Sequence, residues 1–189
     1  MDSWERLEEA CSQCTKCELH ETRTNVVFGA GNQNAEVLFI GEGPGEREDL
    51  TGKPFVGRAG ELLDDMLKII GLSRETNIYI ANIVKCRPPN NRDPHGKERE
   101  VCSEWLKAQI KLINPKIIVC LGRIAACEII DGNFKITAEH GKWYEIDGVR
   151  HMALFHPAAL LRDPTKRPDT FVDLKELERV IKEICVRTL

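Results

Sequence analysis

Val37-Leu38-Phe39-Ile40-Gly41-Glu42-Gly43-Pro44-Gly45 is the stretch on which the rest of the chain depends. Its first four residues form an unbroken apolar run, the mark of a strand buried on both faces. Three glycines and a proline then end the run. Glycine lets a backbone turn sharply and approach a ligand closely, and proline stiffens the turn. Glu42, Glu46, Glu48 and Asp49 crowd just past the strand end. In an open α/β sheet, ligands bind at that carboxyl end. The bland alternative is a strand–loop–helix connection with solvated acids, so the context must decide. Pro54-Phe55-Val56-Gly57-Arg58 then sets an aromatic in a loop ahead of a helix.

Three more apolar runs repeat the pattern: Ile78-Tyr79-Ile80-Ala81 ending at Asn82, residues 117–122, and His151-Met152-Ala153-Leu154-Phe155 ending at His156. Helical periodicity fills the gaps. Leu62, Leu63, Met66, Leu67 and Ile70 share one face over residues 57–70, with Gly71 as terminator. Residues 98–113, 123–130 and 168–187 read as helices, as does 3–13 with Ser3 as N-cap. Residues 25–35 read as a glycine-rich connector, and Trp143–Ile146 before Asp147-Gly148 as a hairpin of short strands. No linker or repeat divides the chain, so a single domain over 1–189 is expected. Strands alternating with helices predict a parallel sheet covered on both faces.

Composition narrows the function. The 189 residues are 30% charged and 42% hydrophobic, which fits one soluble globular domain. A net charge of −3 argues against a globally basic nucleic-acid binder but leaves room for a local basic surface. No apolar run reaches the roughly 20 residues of a bilayer span, so no membrane partner is expected. Met1-Asp2-Ser3-Trp4-Glu5-Arg6 lacks the apolar core of a signal peptide, and a cytoplasmic location is expected.

Eight cysteines in such a chain point to metal or cluster ligation, with buried thiols for the rest. Cys11-Ser12-Gln13-Cys14-Thr15-Lys16-Cys17 has ferredoxin-like spacing. Position 21 is Glu21, however, so further ligands must come from distant sequence. Three prolines within 85–94 exclude both helix and central strand there. From Lys85 to Arg99, five Lys or Arg stand against two acids.

If the strands are parallel neighbours, Glu42, Asn82 and His156 converge on one cleft beside Phe55. Phe55 can stack on a flat ring. Asn82 offers a donor and an acceptor to a base edge. His156 can donate to an oxygen that gains negative charge, and Glu42 can orient water or stabilise a developing cation.

Four segments carry a resemblance: residues 41–45, Pro54-Phe55-Val56-Gly57-Arg58-Ala59-Gly60, Ala81-Asn82-Ile83-Val84-Lys85-Cys86-Arg87-Pro88-Pro89 and His156-Pro157-Ala158-Ala159-Leu160-Leu161-Arg162. In order and wording they resemble the motifs of the family 4, iron–sulfur uracil-DNA glycosylases, from about Cys14 to the last helix. The resemblance implies a three-layer α/β/α sandwich on a four-stranded parallel sheet. It implies hydrolysis of the N-glycosidic bond of a flipped-out uracil in DNA, leaving an abasic site.

By similarity, Phe55 stacks on the uracil, Asn82 and the backbone at Gly43 bind its edge, and His156 stabilises charge on O2. Glu42 acts beside the sugar, with Glu48 as a second candidate for holding water. The implied cofactor is a [4Fe–4S] cluster on Cys14, Cys17, Cys86 and Cys102, tying the N-terminal segment to the Pro-rich loop. Cys11 matches no family ligand position and competes with Cys14 or Cys17. Zinc is the rival metal, because four thiolates suit either. Cys120, Cys127 and Cys185 are expected as core thiols.

DNA contact is expected from Lys85, Arg87 and Arg92, and from Leu161 and Arg162 with Lys166 and Arg167. An exposed leucine there would wedge into the gap left by the base. His140-Gly141 departs from the Arg-Gly of many relatives, which puts an arginine–phosphate role there in doubt. No basic insertion of the kind that holds uracil-DNA covalently lies between Asn82 and Glu98, so turnover is expected. A monomer is expected, and a sliding clamp is left open as a partner. Two other classes compete: an iron–sulfur electron carrier and a catalytically idle DNA-binding module.

Overall fold

The computed structural model describes residues 3–189. Met1 and Asp2, which open the stretch considered above as a signal peptide, lie outside the described residues. Helices α1 (Trp4–Ser12) and α2 (Leu19–Thr22) lead into strands β1 (Ala30–Gly31) and β2 (Val37–Gly41). Helices α3 (Glu46–Thr51) and α4 (Arg58–Ile69), strand β3 (Ile78–Asn82), helix α5 (Gly96–Ile113) and strand β4 (Ile117–Leu121) follow. The chain ends through α6 (Arg123–Ile129), α7 (Ile136–Glu139), β5 (Tyr144–Ile146), β6 (Val149–Leu154), α8 (Pro157–Arg162) and α9 (Arg167–Ile184).

One sheet runs in the order β1-β3-β2-β4-β6-β5. Its four inner strands are parallel, and the edge strands β1 and β5 are antiparallel. The expected sheet of four parallel strands is therefore corrected to a mixed sheet of six. Both additions have a physical reason. Strand β1 is two nearly side-chain-free residues inside the glycine-rich connector, too short to leave a periodic signal. Strand β5 hairpins onto β6 through Asp147 and Gly148, both at positive φ, so the hairpin extends the main sheet.

Alternate residues of the inner strands pack to opposite sides. Leu38, Ile40, Tyr79, Ala81, Ile118 and Cys120 meet Leu7, Trp105 and Leu106 of α1 and α5. Val37, Phe39, Ile78, Ile80, Ile117 and Val119 meet Leu63, Leu67, Leu174 and Leu177 of α4 and α9. That double burial is why these strands read as unbroken apolar runs. Truncating one such residue, Leu38→Ala, costs about 2–5 kcal/mol. Helix α1 starts where the Ser3 side chain accepts from the Arg6 N–H at 3.3 Å, and α4 ends before Gly71 at φ +72°. No described helix is long and apolar enough to cross a membrane.

Candidate active site

Gly41 and Asn82 are register partners at the ends of β2 and β3, and His156 lies just past the end of β6. All the parallel strands point their carboxyl ends the same way. A cavity of about 360 Å³ opens there, lined among others by Glu42, Gly43, Glu48, Phe55, Asn82 and His156. The convergence expected of Glu42, Asn82 and His156 is thus present.

Two glycines make the approach of these groups feasible. A Cβ on Gly41 would lie 2.5 Å from Asn82 Oδ1 and 2.6 Å from Phe55 Cζ. A Cβ on Gly60, in the first turn of α4, would lie 1.9 Å from the Phe55 carbonyl oxygen. Phe55 itself takes φ +50°, a conformation rare for an aromatic residue. Its ring stands 5.6 Å from the His156 ring at 32°.

His156 caps helix α8: its Nδ1 accepts the Ala158 N–H at 3.0 Å. In the neutral ring the proton therefore sits on Nε2. Burial, helped by the Arg162 charge, pushes its pKa down to about 4, so the ring is a neutral donor near pH 7. Asn82 is 2% exposed, and its Oδ1 has no hydrogen-bond partner. Burial pushes the Glu42 carboxyl up to about 7. The Asp93 charge and a hydrogen bond with its carboxyl add to the rise, and Arg123 and Arg99 oppose it.

The acids after β2 divide by role. Glu48, in the first turn of α3, borders the cavity, while Glu46 is exposed. Asp49 turns inward and accepts the N–H groups of Thr24 and Asn25 at 2.8 and 3.2 Å. Asp93 is absent from the expectations above, because its loop stands out in the sequence for its bases. Arg123, 3.6 Å from Asp93, is absent for the same kind of reason: nothing local marks it.

A second cavity gathers Cys11, Cys14, Cys17, Cys86 and Cys102 with Trp105. All five thiols are free. Burial pushes Cys11 and Cys102 up to about 12 and also raises Cys17 and Cys86. Arg23 Nη1 donates to Cys86 Sγ at 3.3 Å and to the Cys14 carbonyl at 2.7 Å. The Lys85 N–H donates to Cys102 Sγ at 3.3 Å. Trp105 Nε1 is buried without a partner. Among the described residues, no three His, Cys, Asp or Glu side chains stand close enough to share one metal ion. Cys120 is fully buried in β4, and Cys127 and Cys185 are half-buried; none of the three lines this cavity.

The basic residues fare unevenly. Lys85 is corrected: it is 1% exposed, and its Nζ donates to Gln109 Oε1 at 2.6 Å. It sits where the apolar Ile83-Val84 run continues inward, so its ammonium cannot reach a phosphate. Arg92 borders the first cavity, but Glu98 holds its guanidinium through two bonds of 2.7 and 2.9 Å. Arg87 bonds Asn91 at 2.8 Å. Arg162 is exposed and borders the same cavity; Lys166 is half-buried and Arg167 exposed. Leu160 is core, and Leu161 is half-buried rather than fully exposed. His140 pairs with Asp173 at 2.6 Å, a contact internal to the fold.

Known proteins resemble this chain over most of its length. A family model described as the uracil DNA glycosylase superfamily matches residues 28–178. The type-4 uracil-DNA glycosylase of Archaeoglobus fulgidus is 46% identical over 193 residues, covering 98% of this chain and 94% of its own. That of Thermotoga maritima is 45% identical, with 95% and 89% covered. A type-5 uracil-DNA glycosylase of Pyrobaculum aerophilum is 32% identical over 69% of this chain and 64% of its own.

Proposed function

This chain belongs to the uracil DNA glycosylase superfamily, and on that premise we propose that it releases uracil from DNA with Asn82, Phe55, His156 and Glu42. The observation that carries the assignment of these residues is the Asn82 Oδ1, buried and unpartnered in a cavity beside an aromatic face. An unsatisfied buried acceptor costs about 1–3 kcal/mol, which a matching donor relieves. Uracil offers that donor at N3, with O4 beside it to accept from the Asn82 amide. Cytosine presents the reverse pair and leaves both groups unmatched.

The flipped base stacks on Phe55, and the Gly43 backbone approaches its edge. As the N1–C1′ bond breaks, its electron pair goes to the uracil ring and charge builds on O2. His156 Nε2–H donates to that oxygen. The sugar becomes cationic at C1′, where the Glu42 carboxylate stabilises it. Water adds at C1′ and gives its proton to Glu42, with Glu48 placed to hold the water. Exposed Arg162 and Arg167, with Lys166 and Arg87, carry the phosphate contacts, Arg92 sets the loop against Glu98, and Leu161 enters the space left by the base.

The residues round the second cavity fit a [4Fe–4S] cluster. Five thiols line one space, the donor set that such a cluster takes. The unpartnered Trp105 Nε1 and the Arg23 guanidinium are donors of the kind that sulfur ligands accept. Cys14, Cys17, Cys86 and Cys102 would hold it, with Cys11 as neighbour. When bound, it would cross-link the segment before α2 to the Pro-rich loop and to α5.

The test is incubation with a uracil-containing oligonucleotide followed by alkali. Strand breaks at uracil, and none at cytosine, are expected. Binding without breaks would leave an idle DNA-binding module, and redox activity without breaks an electron carrier. Absorbance near roughly 400 nm that bleaches on reduction distinguishes the cluster from zinc.

A further inference from the structure

We infer that Arg74 is a positioning residue for base capture: it clamps the backbone of Phe55 so that the ring stays on the cavity wall. The inference rests on the proposed stacking role of Phe55. A bulky residue at φ +50° holds a strained conformation that persists only where its surroundings over-determine it. Here the surroundings are specific. Arg74 Nη1 donates to the Pro54 carbonyl at 2.5 Å, and Nη2 to the Phe55 carbonyl at 2.8 Å. Its Nε donates to Asp64 Oδ1 at 3.0 Å.

Asp64 lies on α4, the helix whose first turn Gly60 lets the Phe55 carbonyl overlie. One planar guanidinium thus ties the loop before α4, α4 itself and the segment before β3. Only a rigid fork with several donors spans these acceptors together; an ammonium does not. Arg74 does not border the base cavity, so its action runs through Phe55. The Arg74 side chain is 16% exposed and that of Asp64 41%, so replacing Asp64 disturbs little of the core.

The experiment measures inhibition by free uracil (Ki) and single-turnover base release for the wild type, Phe55→Ala, Arg74→Ala, Arg74→Lys, Asp64→Asn and the Phe55→Ala/Arg74→Ala pair. All are assayed well below their melting temperatures. Arg74→Ala is expected to weaken uracil inhibition and slow release, each on the order of tenfold. Arg74→Lys should not rescue, and Asp64→Asn should shift both values the same way by less. In the pair, the Arg74 change should add nothing to Phe55→Ala.

If Phe55→Ala leaves Ki unchanged, the stacking role itself falls. If Phe55→Ala weakens inhibition but Arg74→Ala lowers only the melting temperature, Arg74 is merely structural and the inference is overturned. Additive losses in the pair overturn it too. Should Arg74→Ala not fold, an unchanged Ki in both Arg74→Lys and Asp64→Asn overturns it equally.

Discussion

The two cavities of this protein are assembled in opposite ways. The base cavity draws on groups that local backbone sets: the ends of β2, β3 and β6, a capped helix and glycines that clear space. The cysteine cavity draws on α1, the segment before α2, the start of the loop after β3 and α5, which share no strand. The first is prepared for chemistry before any ligand arrives. The second leaves donors such as Trp105 Nε1 unpartnered and depends on distant segments meeting. Damage to the first should therefore appear as lost rate, and damage to the second as lost stability.

The largest expected effect is on rate. His156→Ala should slow single-turnover base release about 10²–10³-fold, far more than the loss of about 1 kcal/mol of stability expected from removing the α8 cap. An unchanged rate would remove His156 from the chemistry. Second, on the proposed cluster ligation, Cys102→Ser should remove the cluster's visible absorbance and lower stability by about 2–3 kcal/mol, some 5–10 °C in melting temperature. The rate per folded molecule should stay within about fivefold of wild type. A larger loss would mean that the two cavities are coupled.

A stability change outside both cavities calibrates the comparison. Burial of Glu36 is outweighed by the N–H groups of Val186 and Arg187, by Lys116 and by the Thr188 hydroxyl, which together hold its carboxyl at about 2. Its stabilisation is thus complete above the usual carboxylate pKa and is lost as pH falls from about 4.5 towards 2. Glu36→Gln should cost about 1–2 kcal/mol at pH 7, vanish as a difference near pH 2, and leave base release intact. Denaturant titrations at the two pH values check it.

The smallest effect expected is a shift in pH dependence. Glu42 ionises near 7, so base release should rise with pH through that value. Neutral His156 persists above about 4 and adds no limb there. Asp93→Asn removes a negative neighbour and should move the limb down by roughly half a unit to one unit. A limb that stays put would mean that another group sets it.

Much of this was legible in the chain because the signals were local. The four inner strands announced themselves as apolar runs, since both faces are covered. Glu42, Asn82 and His156 stood at the ends of those runs, so parallel pairing alone brought them together. Helices α3 and α8 were hidden, one in a charged stretch and one behind a proline. Lys85 was misplaced because its partner, Gln109, lies far along α5. Asp93, Arg123 and Arg74 act through contacts that no spacing rule encodes.

The helix cap made by His156 has one more consequence. A ring whose inner nitrogen is occupied by a peptide N–H must give up that bond to take in a second proton, so near neutral pH it works as a fixed dipole and not as a relay. On the proposed mechanism the departing pyrimidine then leaves as an anion still lacking its N1 hydrogen, which bulk solvent must supply after the product has moved away.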